Sequence, residues 1–160
     1  MIKSIACALC LIAALVATPA EATLYRQNAS GVCKSALPVF DGNIRSRPLA
    51  LANEGTANAF VSCSMLDNWL DDVQLVSVNV RNNGASTVSA SCTYISGMAT
   101  DAEFFPKTRT LAAGQSTSFV WSPMIDHNNQ PFDAQVNFSC SLPPGVEISL
   151  LVFDGILAPT

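Results

Sequence analysis

Charge is scarce in this chain. Eight Lys and Arg face twelve Asp and Glu, charged residues make up 12% of the sequence, and the net charge is −4. An ordinary soluble domain carries about a quarter charged residues. No basic stripe is available for a phosphate backbone, and an acidic surface repels anionic lipid, so nucleic acid is excluded as a partner. Histidine is scarcer still: His127 stands alone, in the polar stretch Asp126-His127-Asn128-Asn129. Cys33, Cys63, Cys92 and Cys140 are not spaced as CxxC, and the pair that is, Cys7 and Cys10, lies in the N-terminal apolar run, so a zinc site lacks its ligands. A Ser–His–Asp or Cys–His arrangement would have to use His127, and nothing selects a partner for it. The chain reads as non-enzymatic, with no cofactor implied. No apolar run reaches the roughly 20 residues of a membrane-spanning helix, so no stable membrane insertion is expected.

What is present begins with a leader. Lys3 supplies a positive start, Ile5 to Ala17 an apolar run, and Thr18-Pro-Ala-Glu-Ala22 a small-residue cleavage pattern. This order predicts a signal peptide over residues 1–22, a single mature domain over 23–160, and a secreted or periplasmic location. Cys10 follows Leu9 rather than a small residue, which argues against a lipid anchor. Four cysteines remain in the mature part: Cys33, Cys63, Cys92 and Cys140. An even number in an exported domain predicts two disulfides.

The strand signal is plainest over residues 131–142. Phe132, Ala134, Val136, Phe138, Cys140 and Leu142 alternate with polar residues, and Pro143-Pro-Gly145 stops the run. Only a strand places that set on one face. Similar alternation marks Ala59 to Met65, Val76 to Arg81, Thr87 to Tyr94, Ser116 to Ser122 and Val146 to Val152. Asn53-Glu-Gly55 and Asn82-Asn-Gly84 read as turns, the second as a hairpin. Residues 64–72 read as one helical turn. The pattern predicts an all-β fold: an antiparallel β-sandwich of about seven to nine strands, immunoglobulin-like or a related Greek key, with two disulfides. A closed barrel is the alternative. The inferred inward faces favour Cys33–Cys63 and Cys92–Cys140, with two other pairings open.

Without catalytic groups, function falls to binding or assembly. The last strand, read with Val146, Ile148, Leu150 and Val152 inward, leaves Leu151 and Phe153 outward. With Trp69 they form a possible contact patch for a second copy or another exported protein. Burial of these residues under the N-terminal segment is the competing reading. The alternative function is a carbohydrate- or small-ligand-binding module, with Trp69, Trp121, Tyr25 and Tyr94 as candidate stacking rings. Asp67, Asp71 and Asp72 form one acidic spot that a calcium ion could use and Asp101 with Glu103 a second, but the EF-hand spacing is absent.

The leader, the early Cys33, Cys63 on its strand, Val88-Ser-Ala-Ser-Cys92-Thr-Tyr94, and Phe138-Ser-Cys140-Ser-Leu-Pro-Pro-Gly145-Val-Glu-Ile148 together resemble small exported proteobacterial proteins of unknown function. The resemblance covers most of the mature chain. It implies a periplasmic or secreted β-sandwich and supplies no activity or site residues.

Overall fold

The computed structural model describes residues 22–65, 70–98 and 100–157. Nearly all of the expected leader lies outside them, and so does Trp69. Eleven strands form two antiparallel sheets. In sheet A, β3 (Ile44–Arg47), β4 (Ala50–Asn53), β11 (Val146–Leu157), β6 (Leu70–Asn82) and β9 (Ser116–Trp121) follow in spatial order, and β1 (Ala22–Asn28) pairs with β11. In sheet B the order is β2 (Cys33–Ser35), β5 (Ala59–Met65), β10 (Val136–Leu142), β7 (Val88–Ser96) and β8 (Glu103–Leu111). Two four-residue helical turns, α1 (Ala29–Val32) and α2 (Pro123–Asp126), complete the described chain apart from a short 3-10 turn at Pro38–Phe40. The expected sandwich is present. It exceeds nine strands because β1, β2 and β3 lie where the sequence shows little alternation.

Alternation builds the core. Val61, Cys63, Val136, Phe138, Cys140, Cys92 and Tyr94 from sheet B meet Val76, Val78, Val80, Ile148, Phe119 and Trp121 from sheet A, all buried. Tyr94 is the hub of an aromatic cluster, with ring centroids 4.9 Å from Phe132, 5.7 Å from Phe138, 5.8 Å from Phe105 and 6.0 Å from Trp121. The long run at 131–142 divides: Val136 onward belongs to sheet B, while Phe132 bridges to Val73 of sheet A.

Both disulfides form as expected, Cys33–Cys63 and Cys92–Cys140. Each joins directly facing residues of neighbouring strands within sheet B, β2 to β5 and β7 to β10.

Three expectations need correction. Leu151 and Phe153 are not an exposed patch; they are buried at 0% and 2%. A bulge between Ile148 and Leu150 inserts one residue into β11, so inward positions change from Val146 and Ile148 to Leu151 and Phe153. Tyr25 of β1 then stacks on Phe153 at 4.7 Å. Asn82-Asn-Gly84 is not a hairpin turn, since it carries the chain from sheet A to sheet B. The buried Asn82 side chain closes it: Nδ2 donates to Ser86 O, Leu111 O and Ala112 O, and Oδ1 accepts from Gly84 N. Asn53 closes the β4–β5 crossing in the same way, donating to Ala57 O and Leu142 O and accepting from Gly55 N. Finally, residues 103–111 form one full edge strand, whereas the sequence reads 96–106 as a loop and only 108–111 as a strand. Pro106 is tolerated there because an edge needs no ladder from every residue.

Candidate functional site

The residues singled out for chemistry are mostly committed to structure. His127 Nε2 lies 2.8 Å from Glu103 Oε2, and Nδ1 lies 2.9 Å from Gln130 O. Its ring stacks on Phe132 with centroids 5.4 Å apart and meets Phe105 edge-on. The imidazole therefore pins the loop that follows β9. Asp101 Oδ1 accepts from Met98 N, so it too has a local partner. Lys107 reaches from β8 to Asp126 Oδ1 at 2.8 Å and to Val120 O, and Trp121 Nε1 donates to Phe105 O at 2.7 Å. These bonds seal the gap between the edge strands β8 and β9.

Trp121 and Tyr94 are core residues, so neither is a stacking platform. Burial pushes the Tyr94 phenol well above its usual range; the Ser96 hydroxyl works against that rise and the Asp133 carboxylate adds to it. Its hydroxyl is buried.

One surface left open is the outer face of sheet B. Strand register arranges it in rows. Lys34, Ser62, Ser139, Thr93 and Pro106 form one row across all five strands. Phe60, Ser141, Ser91 and Thr108 form the row on one side. Ser64, Asn137, Ile95 and Phe104 form the row on the other. Lys34 is the single charged side chain in these rows. Phe60 and Phe104, 46% and 64% exposed, occupy opposite corners. Three strand spacings and four residues of rise place them about 20 Å apart. A shallow depression of about 220 Å³ lies on the β2–β5–β10 side of this face, bordered by Lys34, Ser64, Asn137 and Ile95.

Chemically, this face offers hydroxyls that both donate and accept, a side-chain amide, and apolar rings at its ends. The alternation of Ala59 to Met65 and of Phe132 to Leu142 placed the β5 and β10 members of this face outward but did not identify them as a site. Phe60 was legible as outward, since Ala59, Val61, Cys63 and Met65 take the inner face. Phe104 became legible only once β8 was known to begin at Glu103.

No family model matches the chain, and no curated protein matches its sequence. Among solved structures it is similar to a family 29 carbohydrate-binding module, at 16% identity and TM-score 0.43, covering 84% of this chain and 89% of that one. It is similar to the family 11 carbohydrate-binding module of Clostridium thermocellum, solved with a β-1,3-1,4-mixed-linked tetrasaccharide, at 10% identity and TM-score 0.46, covering 86% and 91%. An agarase, AgWH50C, is similar at 11% identity and TM-score 0.45 over 81% of this chain and 25% of that protein. At these scores the likeness assigns neither a ligand nor a site.

Proposed function

We propose that this protein is an exported, non-catalytic binding module whose ligand is a saccharide bound across the outer face of sheet B. The observation that carries the reading is the composition of that face: rows of serine, threonine and asparagine with one charge, ended by Phe60 and Phe104. A sugar presents the complementary pattern, hydroxyls around its rim and C–H groups on its faces. Neutral hydroxyl partners avoid the desolvation cost of ions.

The test is binding of oxidised protein to soluble glucans, mannans, xylans and chitooligosaccharides by calorimetry. Phe60→Ala and Phe104→Ala should each weaken binding about 5- to 30-fold, the equivalent of about 1–2 kcal/mol for an aromatic contact with its buried area. No binding across the panel, or binding untouched in the double variant, overturns the reading.

A second reading, self-association, is favoured by Met124 and Ile125. They are 74% and 76% exposed side by side on α2. Asp126 fixes that turn through Ser122 N and Lys107. Light scattering over a concentration series tests it: a mass that rises, and stops rising in Ile125→Ser, supports assembly; a constant monomer mass removes it.

A further inference from the structure

A second open surface lies on the opposite sheet. A groove of about 380 Å³ runs beside the tip of the β3–β4 hairpin, lined by Leu49, Asn79, Arg81, Ser116, Glu147 and Ser149. It meets a further depression of about 390 Å³ at Glu147, bounded by Asn83 and the Arg47–Glu54 ion pair.

Glu147 and Arg81 hold facing positions on β11 and β6. Facing residues of an antiparallel pair stand with Cβ atoms about 5 Å apart, near enough for opposite charges to join. These two do not. Neither makes an ion pair or a hydrogen bond through its side chain with the described residues. Glu147 is half-buried and lines both depressions. Both groups are left to face a ligand.

The charges say which kind. Arg47 and Arg81 balance Glu54 and Glu147, so a charged ligand gains little net attraction. A neutral molecule with adjacent hydroxyls uses both signs at once. Its hydroxyls donate to Glu147, and its oxygens accept from Arg81. Leu49, 68% exposed, supplies an apolar wall. Asn79 and Ser116 supply further polar groups on the floor.

We propose that this groove is a second saccharide-binding site, on the sheet opposite the first. The class of ligand rests on the saccharide reading above; the location rests on the groove's own residues. Two sites on opposite faces make the protein bivalent. It would bridge separate polysaccharide chains and gain avidity beyond either site alone.

The test is calorimetric stoichiometry with a short oligosaccharide that binds, alongside turbidity of the parent polysaccharide. Wild type should show two sites per chain and should cross-link the polymer. Glu147→Gln and Arg81→Gln should each leave one site, with the groove weakened about 10- to 100-fold by loss of a charge-assisted bond. Phe60→Ala/Phe104→Ala should leave the other. Either set should abolish turbidity while soluble binding persists. One site in wild type, together with unchanged binding in Glu147→Gln, overturns the second site and leaves the first reading standing. Binding that resides only in the groove overturns the bivalent arrangement and the outer-face reading together. Both surface substitutions should leave the melting temperature unchanged, which separates loss of binding from loss of fold.

Discussion

Replacing Asn82 by alanine should be the most damaging polar substitution in the protein. The side chain is fully buried. Its amide nitrogen serves Ser86 O at 2.8 Å, Ala112 O at 3.1 Å and Leu111 O at 3.2 Å, and its oxygen takes the Gly84 N–H at 2.9 Å. Alanine removes all four bonds and leaves the backbone groups behind. A typical bond contributes about 0.5–1.5 kcal/mol net, and a stranded buried partner costs about 1–3 kcal/mol. The carbonyls of Ser86 and Ala112 lie in exposed residues that water can reach; that of Leu111 cannot be rescued so easily. The expected loss is therefore about 3–4 kcal/mol. Asn83→Ala, one residue on, removes no side-chain bond and should cost less than about 0.5 kcal/mol. Urea unfolding of the oxidised protein measures both, with unchanged m-values required for the comparison. Asn82→Asp adds a sign test. Its carboxylate would face two or three carbonyl oxygens, so burial and repulsion raise its pKa in the folded state. The protonated form can still donate one bond. Stability of this variant should be greatest below about pH 3.9, where the unfolded carboxyl is also protonated, and should fall as pH rises. A cost below about 1 kcal/mol for Asn82→Ala, or equal costs at 82 and 83, would refute the account.

Three further outcomes follow from the same structure. Leu151→Ala and Phe153→Ala should each cost about 2–5 kcal/mol, and Leu150→Ala much less, because the bulge alone decides which are core; thermal denaturation that ranks Leu150 with them would move the bulge. Because the folded Tyr94 phenol is raised and the unfolded one ionises near pH 10, stability should decline above that pH by up to about 1.4 kcal/mol per unit, and a Tyr94→Phe variant should lose that component of the slope in alkaline denaturation. Nonreducing peptide maps should show Cys33–Cys63 and Cys92–Cys140, and removing either should cost about 4 kcal/mol on the loop-length model, read by the shift in urea midpoint.

The limits of sequence reading here have identifiable physical causes. A period of two is visible wherever one face is dry, so Ala59 to Met65 and Val136 to Leu142 gave their inward sets directly. Cysteines on those faces then paired as expected. A single inserted residue defeats the same logic. Nothing in Ile148-Ser-Leu-Leu151 marks the bulge, since Leu150 and Leu151 are equally apolar, and only the pairing shows Leu151 opposite the core residue Val78 while Leu150 stands opposite Asn79. The Asn-x-Gly sequences at 53–55 and 82–84 were legible as turns, but their role was not. A hairpin and a crossing between sheets draw on the same local chemistry, and the partners that decide between them, Leu142 O and Leu111 O, lie 89 and 29 residues away. The two exposed rings differ: the alternation of Ala59 to Met65 already turns Phe60 outward, whereas only the register of β8 shows that Phe104 does the same.

The two disulfides also bear on the proposed binding face. Each lies on the inner side of sheet B, directly beneath the outward rows. Lys34 and Ser62 flank the Cys33–Cys63 pair, and Ser139 and Thr93 flank Cys140 and Cys92. Inner and outer side chains of a strand share one backbone, so a bond that fixes neighbouring strands in register fixes the spacing of the hydroxyls above it. A ligand that contacts β2, β5, β10 and β7 together then meets groups already in place and avoids the cost of ordering them. Lys34 illustrates the point, because β2 has only three residues and Cys33 is its covalent tie to the sheet. Cys33→Ser/Cys63→Ser should therefore weaken saccharide binding at temperatures where the domain is still folded. Phe104, on the far side of the sheet, should remain accessible to the same ligand. An affinity that follows only the folded fraction would mean that the disulfide stabilises the protein without organising its surface.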